Sequence, residues 1–285
     1  MENYAIILEV LRVKVLKERP MTMLNIIVCI KQVPAAAHVE VDPESGTLNR
    51  LGADTKTNPY DLFALETALQ IRQKEGGSVT VLTMGPKQAE SMMRDALMCG
   101  ADEAVILSDR KFAGSDVLAS SYTIAQGISV FGGADLIICG KQTTDGDTAQ
   151  IGPAIAEHLN LPHAAWVRKI ENIASDGITL LQDLGDVTQT SKLKFPCLIT
   201  VDKDSVVPRL PSYLMKEKAK EKEIRYISFD DLPDQNLSRY GLIGSPTTVE
   251  RMFAPEAKTG QTWIDGSADA QAKSLADELS RQRYF

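Results

Sequence analysis

Apolar and polar positions along this chain follow two alternating rhythms, and each change of rhythm marks a boundary. Met23–Ile30 is a short apolar run entered abruptly after Pro20, and it predicts a buried strand. Asn58-Pro-Tyr-Asp61 predicts a helix start, with Asn58 as N-cap and Pro59 at the first helical position. Leu62, Leu65 and Leu69 then fall on one helical face until Gly76-Gly77 stops it. Ser78–Met84 predicts a second strand, Gly85-Pro86 a turn, Lys87–Met98 a helix ended by Gly100, and Glu103–Leu107 a third strand. Ser115–Phe131 predicts a helix capped by Ser115 or Asp116 and stopped by Gly132-Gly133, before a fourth strand at Leu136–Cys139. Strands alternating with helices through short connections predict an α/β fold, a doubly wound parallel sheet with right-handed crossovers.

The pattern changes after Pro162. Ala164–Ile173, Gly177–Leu184, Thr188–Phe195 and Cys197–Val201 are strand-like, and the alternation in the middle pair predicts antiparallel edge strands. His38–Arg50 reads as a β-hairpin around Pro43-Glu-Ser-Gly46. Pro208-Arg-Leu-Pro211 breaks regular structure, and the alternating charges of Lys216–Glu223 predict a solvated helix face. From Phe229 the chain is rich in Pro, Gly, Ser and Asp, ahead of a last helix over Ala268–Arg283. We therefore divide it into an extension at 1–22, a domain at 23–228 and a C-terminal arm at 229–285. An arm so poor in apolar residues is expected to lie on another subunit rather than on its own core.

The stretch around Gly140 carries the candidate chemistry. A strand ends there, a polar turn follows, and Ile151, Ile155, Ala156 and Leu159 recur at helical spacing. Asp147 and Gln150 have the spacing of a capping box. Ligands of open α/β sheets sit at such a βα corner, where the free N–H groups of a helix start favour a phosphate. Thr143, Thr144 and Thr148 add hydroxyl donors, and Gly146 lets a ligand approach the backbone. Asp145 and Asp147 would repel a phosphate unless they point toward a cap, a ribose or a metal, and the same residues could simply make a well-capped helix.

Composition narrows the function. The net charge of −7 and an aromatic content of 6% argue against nucleic-acid binding across the 285 residues. Cys29, Cys99, Cys139 and Cys197 are far apart, with no CxxC pair, and read as buried thiols of a reducing compartment. Only His38, His158 and His163 supply imidazoles, none at metal-ligand spacing, so neither a metal site nor a histidine-based triad is expected. No run is apolar enough for a membrane span and residues 1–22 make a poor signal peptide, so the chain is expected to be cytoplasmic.

Four collinear segments resemble one family, the β subunits of electron transfer flavoproteins. They are Ile26–Pro34, Asn58–Leu69, Leu82–Pro86 with Ala96–Asp102, and Gly140–Gln150, extended by Pro208-Arg and Leu214-Met-Lys216. The resemblance implies a Rossmann-like, adenine-nucleotide-binding domain paired with an α subunit that carries one FAD. The β subunit of this family holds AMP in ordinary electron carriers and FAD in electron-bifurcating ones. Cofactor-binding positions carried over are Cys29, the helix start Asn58, Pro59, Tyr60 and Asp61, and Met84. The turn supplies Gly140, Lys141, Gln142, Thr143, Thr144, Asp145, Gly146, Asp147, Thr148, Ala149, Gln150 and Ile151. Asp145 and Asp147 then stand as caps or ribose partners rather than phosphate contacts.

Residues 144–150, 241–249 and the 41–50 hairpin are similar to bifurcating members. That implies FAD here, NAD(H) as substrate, ferredoxin as an acceptor, and a flavin-containing dehydrogenase, acting on acyl-CoA or on lactate-type 2-hydroxyacids. The docking loop is shorter than the family's usual form, which leaves Leu210 and Leu214 both as candidate anchors. The chain is expected to act only as a subunit of such an oxidoreductase, with no catalytic side chain of its own. The alternatives are an AMP-bound structural subunit that never meets NAD, and an ATP-using adenylating enzyme. The second lacks the glycine-rich loop it would need after the first strand, where Lys31-Gln-Val-Pro34 stands, and no GxGxxG motif is present.

Overall fold

A computed structural model of the chain describes residues 23–35, 54–250 and 262–284. The hairpin expected at 38–50 and the extension 1–22 lie outside the described residues.

Strand β1 (Leu24–Cys29) places successive side chains on opposite sides of the sheet, and both sides are apolar. Ile26 and Val28 enter one buried cluster while Ile27 and Cys29 enter the other. Such a strand has to be central, covered on both faces. β1 is followed by a short antiparallel pair, β2 (Gln32–Pro34) with β3 (Thr55–Thr57). Next come α1 (Pro59–Glu75), β4 (Gly77–Met84), α2 (Glu90–Cys99) and β5 (Glu103–Leu107). Helix α3 (Val117–Val130), β6 (Leu136–Gly140) and α4 (Ile151–Leu159) complete the expected alternation. α1 and α2 contribute to the cluster of Ile26 and Val28, whereas α3 and α4 contribute to that of Ile27 and Cys29.

The sheet order is β11-β5-β4-β1-β6-β10-β7-β8-β9, with β7 at His163–Ala174, β8 at Gly177–Asp183, β9 at Thr188–Lys194, β10 at Cys197–Val201 and β11 at Ile224–Ile227. Pairs from β11 to β7 are parallel, and β7-β8-β9 are antiparallel, as the alternation in the sequence predicts. The chain moves outward from β1 through β4 and β5, then crosses back to β6 on the other side of β1. The order therefore reverses between β1 and β6, and a crevice opens beyond their carboxyl ends.

Two elements depart from the sequence reading. Ile224–Ile227 is an edge strand, β11, parallel to β5, in a stretch to which the sequence reading assigned no element; it follows α5 (Tyr213–Glu221). The arm expected to leave the domain at residue 229 begins by folding back on it. Phe229, Leu232 and Tyr240 are buried among Phe112, Tyr122 and the α3 side of the core. Tyr122 and Tyr240 both donate their hydroxyls to Asp234, to its carboxylate and carbonyl respectively. A few large aromatics anchor this polar stretch, so its low apolar fraction misled. The final helix, α6 (Ala268–Arg281), has no buried residue.

Candidate functional site

The crevice at the β1/β6 reversal is a cleft of about 310 Å³. Its floor is Cys29, Leu82 and Cys139, its walls are the β4 end at Thr83 and Met84, the α3 start and the 140–152 turn.

The walls are held together from behind by α1. Asn58 is the N-cap residue, with Pro59 in the first turn, but its side chain does not cap the helix. The amide instead donates to the carbonyl of Gln142 at 2.8 Å and accepts from the Thr144 N–H at 3.3 Å. Asp61, also buried, accepts from the Lys31 N–H at 2.7 Å and packs against the backbone of Gly140. Burial pushes the Asp61 carboxyl up to about 7, although Lys31, Asn58 and Gly140 pull it the other way. Gly140 is required for this approach: a Cβ there would lie 2.3 Å from an Asp61 carboxylate oxygen and 2.8 Å from the Tyr60 carbonyl carbon.

Lys31 closes the opposite side. Its ammonium meets the Asp145 carboxylate at 2.8 Å, tying the end of β1 to the turn after β6. Burial would raise the Asp145 carboxyl, and the hydrogen bond and charge of Lys31 outweigh it, so the group lies below its usual value. Asp145 is thereby neutralised and turned to the protein. Lys141 is also engaged, its ammonium 3.0 Å from Asp202 and 4.5 Å from the Trp166 ring centre.

The turn does not make the expected capping box. α4 begins at Ile151 with Gln150 as N-cap and no side-chain cap. Asp147 and Ala149 both have left-handed backbone, with φ of 51° and 55°, so the chain cannot enter the helix at Asp147. The Asp147 carboxylate accepts from the Gln142 amide instead. Gly146 takes no positive φ, and a Cβ on it would meet only the Thr143 hydroxyl, at 3.6 Å. The turn thus leaves space at Gly146 and brings the α4 start, Gln150 to Gly152, to the cleft.

The other wall was not read from the sequence as part of a site. Asp116 caps α3 through the Ala119 N–H at 3.1 Å. Its other carboxylate oxygen accepts from the Thr247 hydroxyl at 2.7 Å, and its N–H donates to the Ser245 hydroxyl at 2.8 Å. Ser245 and Thr247 are thus fixed beside this wall, 129 and 131 positions along the chain from Asp116. Ser115, Val117, Ser120 and Ile124 line this wall with Asp116.

Of the positions carried over by resemblance, Cys29, Asp61, Met84, Gly140, Lys141, Gln142, Thr143, Gly146, Thr148, Ala149, Gln150 and Ile151 line the cleft. Asn58, Pro59, Tyr60, Thr144, Asp145 and Asp147 do not line it. Lys31, Leu82, Asp116 and Ile124 were missed, and only the strand-end position of Lys31, Leu82 and the N-cap reading of Asp116 offered a signal. Among the described residues no cluster of acidic, histidine or cysteine side chains could hold a metal, and no helix is long and apolar enough to cross a membrane.

Comparison with known proteins points to one family. The profile described as Electron transfer flavoprotein domain matches residues 45–232. Protein FixA of Azorhizobium caulinodans is 43% identical over 267 residues, spanning 91% of this chain and 95% of that protein. Electron transfer flavoprotein subunit beta of Clostridium acetobutylicum is 41% identical, spanning 92% of this chain and 100% of that protein. The subunit beta of Megasphaera elsdenii is 40% identical with the same two spans, 92% and 100%. A match over most of the chain, on a sheet whose strand reversal forms the site, places this protein in the electron transfer flavoprotein family as a β subunit.

Proposed function

We propose that this chain is the FAD-binding β subunit of a cytoplasmic, NAD-linked, electron-bifurcating flavoprotein, paired with an α subunit that carries a second FAD. The observation that carries the reading is the meeting of two distant stretches at one cleft. Residues 144–150 belong to one wall, and residues 241–249, also similar to bifurcating members, back the opposite wall through the hydrogen bonds of Ser245 and Thr247 with Asp116.

The residues present fit such a ligand. The N–H groups of the α4 start and the hydroxyls of Thr143 and Thr148 would hold a diphosphate, favoured by the helix dipole. Lys31 keeps Asp145 from confronting those phosphates. Cys29, Leu82, Met84 and Ile124 supply an apolar surface for a flat ring. FAD, when bound, supplies both hydride and single-electron chemistry, allowing NAD(H) on one side and ferredoxin and the α-subunit FAD on the other. The chain's own part is to place the cofactor, exclude water and dock partners. Leu210 and Leu214, 86% and 73% exposed, are the anchors for a flavin dehydrogenase of the acyl-CoA or 2-hydroxyacid type.

Gly146→Asp tests the cradle. The protein itself leaves room for a side chain at Gly146, so any loss reports on the ligand. A third carboxylate beside the phosphates disfavours binding. The variant heterodimer is expected to keep the α-subunit FAD, lose the β-subunit FAD and lose NADH oxidation, with unchanged thermal stability of the cofactor-free chain. Wild-type flavin content and NADH oxidation in the variant would refute the assignment.

A further inference from the structure

The exposed apolar loop after β10 is not loose. Val207, Leu210, Tyr213 and Leu214 are each more than 70% exposed, an arrangement that solvent disfavours unless a partner covers it. Yet the backbone between them is pinned at both ends. Arg209 reaches Glu66 on the second turn of α1 through its Nε at 2.7 Å, a terminal nitrogen at 3.0 Å and its backbone N–H at 3.2 Å. Glu66 is 5% exposed and also accepts from the Gln70 amide at 2.9 Å. Burial raises the Glu66 carboxyl, and the Arg209 and Gln70 hydrogen bonds outweigh it, so it is held ionised. Three residues on, the Ser212 N–H donates to the Met98 carbonyl at 3.4 Å, while the Cys99 thiol lies 3.9 Å from the Arg209 carbonyl.

We infer that Glu66 is a positioning residue for partner docking: with Arg209 it forms a latch that presents the leucines of the 207–214 loop in a fixed geometry. This rests on the reading that a flavin dehydrogenase docks at this loop. A bidentate carboxylate–guanidinium pair fixes direction as well as distance, and the third bond, from the backbone of Arg209, transfers that constraint to the chain. A loop ordered beforehand loses less freedom on association, so the latch serves affinity rather than chemistry. Glu66 does not line the cleft and stands five positions past Asp61 on α1, so the effect is separable from cofactor binding.

The test uses the complete heterodimer carrying Glu66→Gln, the double variant Glu66→Gln/Arg209→Gln as a neutral pair, and Leu210→Ala with Leu214→Ala as the reference for lost docking. Glu66→Gln is expected to speed hydrogen exchange across 207–214 and to raise the KM for the dehydrogenase about tenfold, the scale of one lost anchor. The kcat, the flavin content and NADH oxidation by an artificial acceptor should stay at wild-type values. The double variant, free of the unpaired guanidinium, should recover part of the exchange protection and of the KM. Wild-type KM and exchange in Glu66→Gln, alongside a raised KM in the leucine variants, would overturn the latch. Wild-type KM in the leucine variants would instead overturn the docking reading, and the latch's role with it.

Discussion

Asp61 stands in the first turn of α1, but its carboxylate acts outside that helix, accepting from the Lys31 N–H and packing against Gly140 at the two strand ends that frame the cleft. Its ordinary value is 3.8 and its value in the fold is about 7, so the folded chain binds an extra proton between those limits. The sign follows from linkage: this group's contribution favours the fold most in acid and is lost as pH rises toward about 7. Asp61→Asn should remove a slope of at most about 1.4 kcal/mol per pH unit from the stability curve over that window. Chemical denaturation across the pH range checks this, and an unchanged slope contradicts the assignment. At this scale the sequence was only partly legible. Asn58 and Pro59 announced a helix start correctly, but the partners of Asn58 lie 84 and 86 residues away, and spacing carries no record of them. Asp147 and Gln150 had the right separation for a capping box, and left-handed backbone at 147 and 149 defeats it.

Among elements, β1, β4, β5 and β6 with the helices between them were legible because these strands are buried on both faces and each helix is stopped by glycine or by the left-handed Asn160. β11 was not, since Ile224-Arg-Tyr-Ile227 follows a charge run and pairs on one side only. The segment after Phe229 was misjudged for a related reason: its hold on the domain comes from a few residues. Tyr240 is fully buried against Phe112, Tyr122 and Phe229. Tyr240→Ala is expected to cost about 3–5 kcal/mol, the range for a large aromatic deleted from a core. It should also free residues 241–247 from Asp116, loosening that wall of the cleft. A loss under about 1 kcal/mol would show that the segment is only draped on the surface. Helix α6 offers the opposite expectation, since none of its residues is buried. Removing residues 262–285 should leave the thermal midpoint of the isolated chain unchanged while weakening assembly with the α subunit. Sedimentation of the mixed subunits measures this, and undiminished assembly contradicts an arm that lies on the partner.

For the whole molecule, the fold gives a sheet reversal, a helix start and two fixed walls at one place, and the family gives an electron-transfer role for it. The loop that carries Leu210 and Leu214 lies on a different part of the surface, linked to α1 through Glu66 and Arg209. Cofactor binding and docking should therefore fail separately when mutated. The central claim is that the cleft between β1 and β6 holds FAD. The most direct measurement is the nucleotide released by acid from the purified heterodimer, resolved by chromatography and counted against protein. FAD equivalent to both subunits, with no AMP, is the expected result; one FAD accompanied by one AMP would contradict it.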